Sequence, residues 1–358
     1  MKLSSYHKSL GDSVTLLTSY NNIDYDKIYL SKVFTDTEVP EHILSLKNLA
    51  YGGTGFFYDK APDLPPEIEH AFPDYHLYDD WVQQKLENGG KRNDYVYYLD
   101  YSIGFLTRGC FRKCEFCVNK KYDHCVSHSP LSEFLDDSRP KICFLDDNFF
   151  ACPQWKEIIA DVQASGKRFQ FKQGLDERLL TDEKIHAIMS WNYDKDLIFA
   201  FDDIADKTII ENKLARIREL YPTTKKHFKF YVLCGFDRVG KYNDSFYKQD
   251  IANTFERISI LRKYDVMPYI MRYEKAYDCR FKGVYSSIAQ YCNQPNIFKK
   301  FSYREFCRCK GMSSKYNIYK RDYKAYLRDN NKKGAAWRYM EEFEREAREI
   351  ADKYYDER

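Results

Sequence analysis

Three cysteines stand close together at Cys110, Cys114 and Cys117, in the run Thr107-Arg-Gly-Cys-Phe-Arg-Lys-Cys-Glu-Phe-Cys. Thiolates spaced Cys-x3-Cys-x2-Cys can wrap one small metal centre. A cubic iron–sulfur cluster usually takes four ligands, so this loop would donate three and leave one iron open to a small molecule. A catalytic zinc keeps an open position in the same way. Gly109 would let the loop turn and bring backbone amides near the sulfides. The competing assignment is structural zinc, with Cys125 or His124 as fourth ligand. Zinc ligands, however, usually come as close pairs separated by a longer span.

On this motif the chain resembles the radical SAM superfamily, whose hallmark is Cys-x3-Cys-x2-Cys after the first strand of a partial (β/α)6 barrel. The resemblance covers about residues 100–275. It implies a [4Fe–4S] cluster on Cys110, Cys114 and Cys117, with S-adenosylmethionine (SAM) on the open iron through its amino and carboxylate groups. It implies one-electron cleavage of the sulfonium to a 5′-deoxyadenosyl radical, which takes a hydrogen from the substrate. An electron donor such as flavodoxin or ferredoxin is then expected.

Other positions match the family one at a time. Phe116 matches the aromatic residue near adenine, with a core phenylalanine as the alternative. Asp146 and Asp147, in Leu145-Asp-Asp-Asn-Phe149, end the second strand, where the family binds the methionine amino group. The glycine–glycine–glutamate form of many members is absent. The run looks like the Asp-Asp variant of cobalamin-type and methylthiotransferase-like members, and a helix N-cap is the alternative. Asp176 and Arg178 follow the third strand and are candidates for contact with SAM or substrate. Asp202 and Asp203 end the fourth strand, where the ribose is often held. Gly235, after the fifth, is a candidate for lying against the adenine.

The elements that must position these residues alternate along the chain. Strands are expected at Ile103–Thr107, Lys141–Leu145, Arg168–Lys172, Leu197–Phe201, Lys229–Leu233 and Pro268–Arg272. Helical spacing relates Trp155, Ile158, Ile159 and Val162, then Ile209, Leu214, Ile217 and Leu220, then Ile251, Phe255, Ile258 and Leu261. Six strands alternating with helices imply a parallel sheet. The expected fold is α/β: a partial (β/α)6 TIM-like barrel, with a doubly wound sheet as the competing arrangement. A small α/β N-terminal region (1–93) precedes the core (94–278), and a helical, basic, Tyr/Cys-rich extension (279–358) follows it.

In the first region a helix is expected over Leu3–Leu10, strands at Val14–Leu17 and Lys27–Leu30, loop from Gly52 to Pro73, and a polar linker from Gln83 to Asn93. Ser4-Ser-Tyr-His-Lys resembles the N-terminal region of cobalamin-dependent members. The Asp-x-His-x-x-Gly signature is broken, because Ser stands at position 5 and Gly only at 11. No cobalamin is therefore expected, and His7 is read as a surface residue in a shortened relic that helps cover the barrel.

The chain has 358 residues, 44% hydrophobic and 31% charged, which fits a soluble globular protein and not a disordered one. No apolar run approaches the roughly 20 residues of a membrane span, and the N-terminus lacks a signal-peptide core. Eleven cysteines, an odd count, argue against a disulfide framework. A cytoplasmic location is expected. Cys143 and Cys234, inside strand-like runs, are read as small buried residues, and Cys279, Cys292, Cys307 and Cys309 follow the barrel without a recognised metal spacing. Residues 299–333 hold twelve Lys/Arg against three Asp/Glu, a local balance of +9 that leaves −6 elsewhere. Phe301, Tyr303, Phe306, Tyr316, Tyr319, Tyr323 and Tyr326 interleave with these charges. Cations bind phosphates and aromatic faces stack on bases, so a nucleic acid or nucleotide is the leading partner expectation. A solvated surface with buried aromatics is the alternative. The last stretch, Ala336 to Tyr354, repeats as a helix. Two functions follow: a radical SAM enzyme, or a non-catalytic zinc-stabilised nucleic-acid-binding protein.

Overall fold

All six strands expected in the core form, and their ladders are parallel, in a computed structural model that describes residues 1–21, 23–303 and 306. In chain order the strands are β1 (Ile28–Ser31), β2 (Leu49–Gly52), β3 (Tyr101–Gly104), β4 (Thr107–Arg108), β5 (Val126–Ser127), β6 (Lys141–Phe144), β7 (Arg168–Phe171), β8 (Leu197–Ala200), β9 (Phe228–Cys234) and β10 (Met267–Arg272). One sheet has the order β3-β6-β7 and another β8-β9-β10. The protein is thus α/β with separate parallel sheets and no closed barrel among the described residues.

The expected first strand divides in two. Tyr101–Gly104 pairs with β6, while Thr107–Arg108 leaves that sheet to pair antiparallel with β5.

By contacts the chain forms two compact units. The first comprises residues 1–173 with 190–194, and the second comprises 174–189 and the residues from 195 on. In the first, Ile142 to Phe144 and Phe169 to Phe171 are buried without a break, as strands covered on both faces require. Phe149, Phe150, Phe169 and Phe171 gather around Trp191, which brings the segment 190–194 into this core. In the second unit β9 alternates, with Phe228, Phe230, Val232 and Cys234 buried and the residues between them half-exposed. Helix Asp244–Lys263 covers it with Ile251, Phe255, Ile258 and Leu261, as its spacing predicts.

Several local expectations change. On helix Lys207–Leu220 the buried row is Ile210, Leu214 and Ile217, while Ile209 is 38% exposed. Ile209 and Ile210 are adjacent, so both fit a helical pattern and only packing selects one. Val14–Leu17 forms no strand, because it has no partner and no face to bury; Leu17 is exposed. The partner of β1 is β2. The expected linker begins inside helix Asp79–Glu87, which buries Val82 and stops before Gly89. The Gly52–Pro73 loop holds short helical turns at Thr54–Phe57 and Pro66–Glu69.

The extension begins as core. Helix Lys282–Cys292 buries Val284, Tyr285, Ile288, Tyr291 and Cys292. Asn293 closes the edge of β10 by accepting from the Ile270 N–H at 2.7 Å and donating to its carbonyl at 3.1 Å. Phe301, Tyr303 and Phe306 are buried, so these three aromatics pack inside and do not form a stacking surface. Tyr316, Tyr319, Tyr323, Tyr326, Cys307, Cys309, most of the basic stretch and the final helical repeat lie outside the described residues.

Candidate active site

The cysteine loop leaves the β3–β6–β7 sheet at its C-terminal edge and is closed at its base by the β4–β5 ladder. Gly109 has φ +96° there, and a Cβ on it would come within 2.4 Å of the His124 carbonyl oxygen. Only glycine fits. The Lys113 ammonium braces the interior by donating to the carbonyls of Lys120 at 2.8 Å and Tyr122 at 2.5 Å.

Cys110, Cys114 and Cys117 are all half-exposed and none is in a disulfide. Backbone amides reach two of the cysteine sulfurs: the Arg112 N–H donates to Cys110 Sγ at 3.4 Å and the Asn119 N–H to Cys117 Sγ at 3.3 Å. Burial pushes the Cys117 thiol up, reinforced by Asp147 and Cys110 nearby. A metal counters that shift by binding the thiolate.

Asp146, Asp147 and Asn148 grip this loop at successive points. Asp146 is fully buried and accepts from the Thr107 N–H at 2.7 Å, the Thr107 hydroxyl at 2.6 Å and the Leu106 N–H at 3.2 Å. Burial raises its carboxyl to about 6. Asp147, half-exposed, accepts from the Gly109 N–H at 2.9 Å. Asn148, 3% exposed, donates from Nδ2 to Cys110 Sγ at 3.3 Å. The helix-cap alternative for this run does not describe these contacts. Asp146 holds the loop's stem, whereas Asp147 holds the turn and keeps an exposed side.

Cys125 is buried beside Thr107 and Cys152, with its thiol pushed up to about 12 by burial. His124 is exposed. Among the described residues, no three His, Cys, Asp or Glu side chains group as ligands of a single ion. A cubic cluster sets a wider spacing, because each thiolate binds a different iron. Three half-exposed cysteines outside any disulfide, N–H donors aimed at two of their sulfurs and a glycine turn make a donor set that fits such a cluster.

The N-terminal region touches this loop, which the sequence alone did not disclose. The Tyr58 hydroxyl donates to the carbonyl of Phe116 at 3.3 Å, and Lys121 pairs with Asp63. Phe116 itself is half-buried. Glu69 meets Arg108 at 3.2 Å and His128 at 3.0 Å. The His128 ring, followed by Lys2 and Arg108, holds the Glu69 carboxyl down at about 2 against opposing desolvation. His7 is only partly exposed, with its ring nitrogens on Asp12 at 2.7 Å and Tyr29 at 2.9 Å.

In the second unit the remaining candidates gather at carboxyl ends of strands. Asp176 accepts from Arg178 Nε at 2.8 Å, and Arg178 also donates to Asp206 at 2.9 Å. Between them Glu177, 2% exposed, is raised to about 8 by burial and then by Asp176. Asp202 accepts from the Leu233 N–H at 3.0 Å, and burial pushes its carboxyl up. Asp203 caps the following turn through the Ala205 N–H at 2.9 Å and pairs with Arg238 at 2.5 Å. Gly235 has φ +78°, its N–H donates to Asp250 at 2.7 Å, and a Cβ there would come within 2.6 Å of Ala276 Cβ. Arg257, 1% exposed, donates to the carbonyls of Phe201 at 2.8 Å, Asp202 at 2.9 Å and Leu233 at 2.8 Å. The fold thus turns a charged side chain of helix Asp244–Lys263 inward.

Cys143, Cys234 and Cys292 are core residues, and Cys279 is half-exposed. No helix among the described residues is long and apolar enough to cross a membrane. No protein-family model, curated protein or solved structure matches the chain.

Proposed function

We propose that the protein is a radical SAM enzyme, with Cys110, Cys114 and Cys117 as ligands of a [4Fe–4S] cluster and the two three-stranded sheets as halves of a partial (β/α)6 barrel. The observation that carries the reading is the cysteine loop itself: three half-exposed cysteines, none in a disulfide, on a glycine turn, with N–H donors directed at Cys110 and Cys117. When bound, the cluster supplies one electron to the SAM sulfonium.

The chain's own residues bind and orient. Asp147, half-exposed beside Gly109, is the better placed of the two aspartates to receive the SAM amino group, since Asp146 already accepts three hydrogen bonds from the loop's stem. Phe116 offers an aromatic face on the same loop. Asp176 and Arg178, after β7, and Asp202, Asp203 and Gly235, after β8 and β9, are the positions for SAM hydroxyls, base or substrate. Tyr58, Asp63 and Glu69 bring the N-terminal region against the loop and limit water there. A nucleic acid or nucleotide is the proposed substrate class, on the basic character of residues 299–333, and flavodoxin or ferredoxin the proposed donor.

Anaerobic purification and iron analysis test the cofactor: about four irons per chain and an absorbance near 400 nm are expected. Reduced protein given SAM should slowly release 5′-deoxyadenosine without substrate. Intact SAM recovered from fully loaded, reduced protein would overturn the catalytic reading.

A further inference from the structure

We propose that Asn148 is a positioning residue for the cluster, raising its reduction potential through the hydrogen bond to Cys110; this rests on the cluster reading above. Asn148 is 3% exposed and its Nδ2 lies 3.3 Å from Cys110 Sγ. A thiolate has no proton to give, so only the amide nitrogen can face it once metal is bound. The donor side of the bond is buried while the sulfur is half-exposed, and burial of the donor strengthens a hydrogen bond to a charged acceptor.

The donor is held from both sides. Asn148 has φ −156° and ψ 74°, directly before the turn Phe149–Ala151. Phe149 and Phe150 are buried among the aromatics around Trp191, so the backbone cannot swing without unseating them. From the other side Asp147 fixes the Gly109 N–H at 2.9 Å, one residue before Cys110. Two consecutive residues thus fix two consecutive residues of the loop, and Cys110 meets a preorganised donor. Cys110 receives the Arg112 N–H as well, but that contact is internal to the loop and moves with it. The Asn148 bond ties the sulfur to β6 through its C-terminal end.

The electrostatic consequence has a definite sign. Reduction adds one negative charge, which spreads onto the ligating sulfurs. A donor at Cys110 Sγ stabilises the reduced form more than the oxidised form, and so raises the potential. Removing the donor lowers the potential without removing any ligand.

The experiment is a redox titration of the reconstituted full-length protein, followed by absorbance and electron paramagnetic resonance, for wild type, Asn148→Leu and Asn148→Asp. Asn148→Leu removes the donor; Asn148→Asp keeps the shape and places an acceptor by the sulfur, and it decides the question if the leucine variant does not fold. The expected result is iron content near wild type with a reduction equilibrium shifted about tenfold toward the oxidised form, which is about 59 mV for one electron. The aspartate should shift it at least as far. Variants that load iron and titrate with wild type overturn the role of Asn148 alone. Wild-type protein that takes up no iron overturns it together with the cluster reading.

Discussion

Two clamps at strand ends, one in each unit, work by opposite chemistries. In the first, carboxylates collect backbone donors: Asp146 takes the amides of Leu106 and Thr107, and Asp147 that of Gly109. In the second, a buried guanidinium collects backbone acceptors, the carbonyls of Phe201, Asp202 and Leu233. The difference follows from what each must hold. A loop leaving its sheet exposes N–H groups without partners, whereas converging strand ends leave carbonyls without partners. The first clamp shapes a loop that can receive a metal, and the second closes the unit's own core.

If that contrast is right, damage to the two clamps has different consequences. The largest effect is expected from Cys110→Ala, Cys114→Ala or Cys117→Ala. Each should lower iron and 5′-deoxyadenosine release to background with the far-ultraviolet circular dichroism unchanged, because these half-exposed side chains are not core. Full iron retention in all three variants would defeat the assignment. Arg257→Met should do the reverse. It removes the donor shared by three carbonyls and should cost on the order of 3–5 kcal/mol in urea unfolding, while purified folded protein still takes up iron. A loss under about 1 kcal/mol would show that the carbonyls find other partners.

Two glutamates sharpen the contrast through pH. Glu69, held at about 2, stabilises the fold fully above the unfolded value near 4.5, and that stability is lost as pH falls toward 2. Glu69→Gln should lower stability at pH 7 by about 1–3 kcal/mol and flatten the acid limb. Glu177, raised to about 8, binds its proton more tightly folded than unfolded, so stability falls as pH rises from near 4.5 to 8. Glu177→Gln should flatten that fall and make the protein more stable than wild type at pH 8, by on the order of 1 kcal/mol or more. Urea midpoints across pH 3 to 9 measure both. Parallel profiles for wild type and Glu177→Gln would mean that the carboxyl is ionised in the fold.

The smallest expected effect on the protein itself is that of replacing Lys320, Arg321 and Lys324 together by Glu. SAM cleavage without substrate and overall stability should hardly change. Nucleic-acid binding, measured by gel shift at two salt concentrations, should be lost and should weaken with salt in the wild type. Binding that ignores the triple change, or its absence at low salt, would favour a small molecule or peptide as substrate.

The six core strands and their order of appearance were legible in the residues, since short runs rich in Phe, Ile and Val alternate with helical patterns. The cysteine spacing and the need for Gly109 were legible too, because both are local. The roles within Asp146-Asp147-Asn148 were not. Neighbours in sequence receive opposite duties, one buried as a stem anchor, one half-exposed at the turn and one aimed at a sulfur. Residue type does not distinguish Asp146 from Asp147, whose partners are nearly forty positions away. The same holds for Glu69 on Arg108 and His128, and for Arg257 inside the second unit.

By itself the sequence determined what depends on near neighbours: the alternation of apolar residues along β9, the helical stripe on Asp244–Lys263, and three thiols within eight residues. Tertiary structure alone decided which of Ile209 and Ile210 faces the core, that Phe301, Tyr303 and Phe306 pack inside, and which carboxylate anchors the loop. Periodicity reports a side chain's direction to within one residue, and desolvation depends on every atom nearby. A burial or a long-range hydrogen bond therefore has no signature until the chain has closed on itself.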